Sequence, residues 1–166
     1  TFYKELLAYA KEHPDMDFLH RPHPLAMSHF LEIGALTQEQ IDDYRNQCQA
    51  LPNVSLDTQR EYEATFWESS VLVSDISGIV PEYFSTGKPL VFCPGNMELE
   101  LAPYIQRMLQ GCYLVYTPEE LFAVLEQLKQ GIDPLREKRQ ALIRELFGDL
   151  QASPSKAIVE SIAEDA

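Results

Sequence analysis

Residues 71–93, VLVSDISGIVPEYFSTGKPLVFC, read as a strand, a sharp turn, a helix and a second strand. Val71, Leu72 and Val73 form a short apolar run, the pattern of a strand buried on both faces. Ser74-Asp75-Ile76-Ser77-Gly78 stops that run with residues that favour turns and helix N-caps. Ile79, Val80, Tyr83 and Phe84 then recur at helical spacing. Thr86-Gly87-Lys88-Pro89 ends the helix, with Gly87 suited to the left-handed position and Pro89 blocking continuation. Residues 90–93 are the next strand.

A helix opened at Ser77 leaves its first backbone N–H groups without partners inside the helix. They face out of the C-terminal edge of the sheet, together with the positive end of the helix dipole. Gly78 adds no side chain to block a ligand. Such a turn suits an anion, above all a phosphate or diphosphate. Read purely locally, Ser77 is a cap and Gly78 a tight bend.

On both sides of this segment strands keep alternating with helices. A helix over 2–13 puts Phe2, Leu6, Leu7, Tyr9 and Ala10 on one face, and a strand follows over 16–20. Arg21-Pro22-His23-Pro24 ends that strand abruptly. A short helix over 25–33 comes next, then a capping box at Thr37-Gln38-Glu39-Gln40 opening a helix to about residue 50. A strand spans 54–56, and a helix over 59–69 carries Phe66 and Trp67, both assigned to the core. Beyond residue 93 come a loop at 94–96, a helix over 98–110 and a strand over 112–116. Thr117-Pro118-Glu119-Glu120 opens a helix to Gly131, another runs over 133–147, and a last one starts at Ser155.

Five strands alternating with helices predict an α/β fold, a Rossmann-like three-layer sandwich on a mostly parallel sheet. A doubly wound domain of this kind has a strand before its first helix. Thr1 lands directly at that helix, so residues 1–166 are expected to be a single domain whose first, central strand lies upstream. The length fits one domain, and 45% hydrophobic with 23% charged residues is a globular balance. A net charge of −13 argues against a nucleic-acid or anionic-membrane footprint. Three cysteines without metal-like spacing argue against a disulfide framework, and no run is long enough to cross a bilayer. A reducing, cytoplasmic setting follows.

Arg21, His23 and the 74–78 turn all fall at C-terminal ends of predicted strands, the edge where open α/β sheets place ligands. Prolines 22 and 24 stiffen the first segment. Arg21 can pair bidentately with a phosphate, and His23 can donate to a diphosphate oxygen or act as general acid or base. Glu82 lies one turn beyond Ser77 and Gly78, placed to accept from ribose hydroxyls or to offset the dipole. Asp75 orients or caps the turn, and Ser74 is a further contact. His20 should alternate away from Arg21, and His20, His23 and His29 lack acid or cysteine partners at metal spacing. Lys88 anchors the turn before Pro89. Arg136, Lys138, Arg139 and Arg144 interleave with Asp133, Glu137 and Glu145, which reads as a solvated helix face.

From about Phe18 to Phe92 these motifs resemble the C-terminal, nucleotide-binding half of the CDP-glycerol glycerophosphotransferase family, the teichoic acid polymerases. The shared features are a basic residue and His-Pro after one strand, Ser-Asp-x-Ser-Ser after a later strand, an acid one turn on, and Lys-Pro before the next strand. The resemblance implies the C-terminal half of a GT-B fold, with the acceptor held mostly by an N-terminal domain of the same parent chain. It implies that His23 contacts the donor diphosphate and helps the leaving group depart. Ser74, Asp75, Ser77 and the Gly78 backbone would cradle phosphate, and Glu82 would meet the ribose. It implies no metal and no cofactor beyond a nucleotide-linked donor of CDP type, with Arg21, His23 and the helix start offsetting charge. The setting would be cytoplasmic or peripheral to the inner membrane face. Gly78 stands where that family has its second serine. Ser-Gly after an Asp is also similar to the UDP-N-acetylglucosamine 2-epimerase family, so a uridine donor and a non-catalytic nucleotide-binding module stay open as alternatives.

Overall fold

The computed structural model describes residues 2–23, 25–58, 61–95 and 100–148. The expected helix from Ser155, and the ends of the elements expected over 59–60 and 96–99, lie outside them. The protein is α/β, and all of its described strand pairings are parallel. The strands form two sheets, one of two and one of three strands, where the sequence predicts one. The chain divides into two compact units, residues 1–67 and 68–166.

In the first unit the elements run α1 (Tyr3–Glu12), β1 (Phe18–His20), α2 (Ala26–Glu32), α3 (Gln38–Ala50) and β2 (Val54–Leu56). Helix α4 (Glu63–Glu68) lies at its end. α1 buries Tyr9 and Ala10, the inner face read from the sequence, while Lys4, Glu5 and Lys11 are exposed. Thr37 and Gln40 form the expected capping box, each side chain accepting from the other's backbone N–H. α3 buries Ile41 and Cys48, one stripe at helical spacing. β1 and β2 pair Phe18 with Val54, Leu19 with Ser55 and His20 with Leu56. Both strands therefore end at one edge, followed by Arg21 and Asp57.

Asn53 fastens these pieces. It is buried, and its Nδ2 donates to the carbonyls of Ala10 (2.9 Å), His13 (3.1 Å) and Met16 (2.9 Å). Those carbonyls belong to the last turn of α1 and the loop after it, where helix ends leave acceptors unpaired. The Tyr44 hydroxyl hydrogen-bonds His20 Nδ1 at 2.6 Å, and the ring of Tyr3 meets that of Tyr44 edge-on at 5.1 Å. Trp67 corrects an expectation: it is 80% exposed. α4 is only six residues long, and Phe66 turns toward Tyr62 with ring centroids 5.0 Å apart. The next residue on a helix points about 100° away, here to solvent.

Burial holds the His20 imidazole below its ordinary range. The unfolded chain therefore binds the proton more readily, so stability falls as pH drops through the unfolded value near ~6.5 and below it. Urea midpoints at pH 7.5 and pH 5.5 should differ more in the native protein than in His20→Gln. Equal pH slopes in the two would remove His20 from this account.

In the second unit β3 (Leu72–Ser74), β4 (Leu90–Phe92) and β5 (Tyr113–Leu114) pair in that order. Helices α5 (Ile79–Ser85), α6 (Pro103–Leu109), α7 (Pro118–Lys129) and α8 (Arg136–Phe147) connect and cover them. All three residues of β4 are buried, as a strand central in its sheet should be. β3 departs from the predicted burial on both faces: its residues are only half-buried, because it lies at the edge of its sheet. Tyr83 and Phe84 of α5, Met108 of α6, Leu121 of α7 and Leu142 of α8 complete the core. Gly87 takes the left-handed conformation after α5 (φ +77°), and Lys88 donates to the Ser69 carbonyl at 2.7 Å, an anchor as expected. Pro103 opens α6, and Thr117 and Glu120 form the capping box of α7.

Arg139 is the second correction. Arg136, Lys138 and Arg144 are exposed, but the Arg139 side chain is 0% exposed. It pairs with Asp133 and donates from Nε to the Gly87 carbonyl (2.9 Å) and from Nη1 to that of Gly111 (3.4 Å). The Tyr113 hydroxyl donates to the other Asp133 oxygen at 2.7 Å. Burial, then the Asp133 carboxylate, pushes that phenol up to about 12. One guanidinium thus joins α8 to the ends of two loops and, through Asp133, to β5.

Candidate functional site

The candidate residues divide between the units. Arg21 and His23 follow β1 in the first; Ser74, Asp75, Ser77, Gly78 and Glu82 lie at and after β3 in the second. Both sets leave C-terminal ends of parallel strands, as the sequence predicts.

Arg21 is half-buried and engaged. Its Nη1 sits 2.5 Å from Asp57 Oδ2 and donates to the Glu61 carbonyl at 3.2 Å. Its guanidinium lies over the Tyr62 ring, 5.6 Å from the centroid. Asp57 Oδ2 also accepts from Thr65 Oγ1 at 3.1 Å. Asp57 and Thr65 do not stand out in the sequence, and Tyr62 reads there only as one of the aromatics of the 59–69 helix. The available signal is that Asp57 directly follows the 54–56 strand, level with Arg21.

His23 is exposed. The backbone N–H of Leu25 donates to its Nδ1 at 3.2 Å. The neutral ring therefore carries its proton on Nε2 and offers a donor. Local backbone thus fixes the tautomer that a phosphate oxygen can accept from.

In the second unit the turn differs in detail from its sequence reading. Ser74 is the last residue of β3, not the first of the turn, and its carbonyl accepts from Cys93 N–H at 2.8 Å. Its hydroxyl donates to the Asp75 carbonyl at 3.0 Å. The helix begins at Ile79 rather than Ser77 and has seven residues. Its first two amides are not unpartnered. Ile79 N–H faces Ser77 Oγ at 3.5 Å, and Val80 N–H donates to the Ser77 carbonyl at 3.2 Å. Among the described residues, the N–H groups of Ile76, Ser77 and Gly78 have no hydrogen-bond partner. The donors available to an anion therefore belong to the turn itself, a run of successive amides. Glu82 is exposed in the first turn of α5. Asp75 is exposed too, and its carboxylate adds to the burial that lifts the Cys93 thiol to about 11.

Gly78 has φ −60° and nothing within 4 Å of a Cβ built on it. The fold places no demand for glycine there, and a serine would fit unstrained. No helix among the described residues is long and apolar enough to cross a membrane. Comparison of the chain with protein-family models, with curated proteins and with solved structures finds no match.

Proposed function

We propose that this chain binds the nucleotide-linked donor, of CDP type, of a transferase that moves glycerol phosphate or a sugar unit to a cell-surface polymer or glycan. The observation that carries the reading is the position of the two motifs. Arg21-Pro22-His23 leaves β1 and Ser74-Asp75-Ile76-Ser77-Gly78 leaves β3, each at the C-terminal end of a parallel strand. The parallel sheets and the strand–helix alternation are consistent with a Rossmann-like sandwich and with the C-terminal half of a GT-B enzyme. The cytoplasm suits three cysteines held as buried thiols.

In this reading His23 Nε2–H donates to a diphosphate oxygen and steadies the charge that grows on the leaving nucleotide. Within the second unit, the Ile76, Ser77 and Gly78 amides are donors that suit a phosphate, and Glu82 is an acceptor that suits a ribose. Position 78 has room for a serine, so the departure from the glycerophosphotransferase pattern there answers no backbone need, and the epimerase-like reading stays the alternative.

Calorimetric titration of the chain with CDP, CMP, UDP and UDP-N-acetylglucosamine tests this. Tightest binding of a cytidine nucleotide supports the proposal. Uridine preference moves the reading to an epimerase-like half, and no binding by the folded chain refutes nucleotide recognition. In a cytidine-binding chain, His23→Ala should weaken CDP binding by roughly 1–3 kcal/mol, the range for a hydrogen bond to a charged group. Its melting temperature should hardly move, because His23 is exposed. A collapse in stability with unchanged affinity would make His23 structural.

A further inference from the structure

We infer that Arg21 is a positioning residue rather than a phosphate ligand, and that Asp57 is the group that holds it. The inference rests on the nucleotide-binding reading above and alters which cation meets the diphosphate. Asp57 and Arg21 make their ion pair with side chains only 8% and 20% exposed. A carboxylate so far removed from water depends on its close cation, and separating them strands a charge. The same Nη1 also donates to the Glu61 carbonyl, and the guanidinium lies over the ring of Tyr62 within the unit. Tyr62 is itself held against Phe66, and Asp57 is held by Thr65 Oγ1. A diphosphate that took Nη1 would have to draw it from an anion already in contact with it.

What this cluster does instead is fix a backbone. Arg21 is pinned at the end of β1, while the Asp57 N–H donates to the His20 carbonyl at 2.9 Å and carries the strand pairing one step further. Pro22 has a locked φ. His23 follows at once, with its Nδ1 bound by Leu25 N–H. The position of the Nε2 donor is therefore inherited from the Arg21–Asp57 pair.

The test uses CDP as the probe and the full chain throughout, with affinity and urea stability measured on Arg21→Met, Asp57→Asn, Arg21→Met/Asp57→Asn and Arg21→Lys. Arg21→Met should lower both stability and CDP affinity, since it leaves Asp57 unpaired. The double variant strands no charge, so it should recover stability relative to Arg21→Met, but like Asp57→Asn it lacks the pair that places His23 and should bind CDP at least about threefold more weakly than the native protein. Arg21→Lys keeps the charge at Asp57 and should bind CDP within about threefold of the native protein, although it loses the planar fork and its stacking on Tyr62. An Arg21→Lys variant as weak as Arg21→Met, with Asp57→Asn binding CDP like the native protein, would show that the guanidinium grips phosphate directly. Should the native chain bind no nucleotide, the functional reading fails and stability judges the pair. Non-additive effects of the two single substitutions then uphold Asp57 as the group that holds Arg21, while the positioning role falls with the functional reading; additive effects overturn both.

Discussion

Arg139→Met is expected to destabilise the second unit by about 3–5 kcal/mol, the scale for breaking a buried ion pair from one side. Methionine keeps much of the volume of the stem but none of its five donors. Asp133 would remain a largely buried carboxylate that has lost its cation and keeps the Tyr113 hydroxyl, and the carbonyls of Gly87 and Gly111 would lose their donors. Removing the second charge as well should be easier on the fold. The double variant Arg139→Met/Asp133→Asn is therefore expected to be more stable than the single one, because the new amide oxygen can still accept from Tyr113 while no charge is stranded. Urea denaturation followed by circular dichroism measures both. A single-variant loss below about 1 kcal/mol would mean that the pair contributes no more than a surface one.

Asn53→Asp should be nearly as severe, at roughly 3–5 kcal/mol, although it exchanges one NH₂ for one oxygen. The amide donates to three carbonyls within 3.1 Å. A carboxylate in that place cannot donate, and it sets negative charge against three acceptors. The group can recover one bond by taking up a proton, so its folded pKa must lie above the unfolded value near ~3.9. The penalty is therefore complete above the raised folded value and shrinks as pH falls toward the unfolded one. Hydrogen exchange should show faster amides in α1 and β1 at pH 7, with part of the protection restored at pH 4. Asn53→Ala, which removes the donor without adding charge, should lie between the native protein and Asn53→Asp.

Much of the architecture is readable without coordinates, for reasons that can be named. Apolar runs such as Leu90–Phe92 mark strands because a parallel strand covered on both faces needs no polar positions. Thr37 and Thr117 mark helix starts because their hydroxyls meet real N–H groups three residues on. The charges around Arg139 point to a solvated face. Its spacing to Leu142 and Ile143 instead places it on the buried stripe of α8. Position around the helix is a better guide here than charge density along the chain. Asn53 carries no comparable signal, since a lone asparagine in a loop reads as a turn residue.

The candidate site divides in the same way. The motif residues at 21–23 and 74–82 are legible from their places at strand ends. The start of α5 is not, because Ser77 meets the first amides of the helix from outside it. Nor is the engagement of Arg21, which depends on a carboxylate 36 residues further along the chain. Pairings of that kind follow from strand register rather than from local pattern.

The reach of Arg139 also bears on how the protein is made. Its Nε donates to a carbonyl 52 residues earlier in the chain. Ribosomes deliver the N-terminal side first, at about 5–20 residues per second, so that oxygen waits roughly 3–10 s for its donor. During that interval the newly emerged, wholly apolar β4 cannot be locked in place, and a nascent chain halted short of residue 139 should be the form most in need of a chaperone.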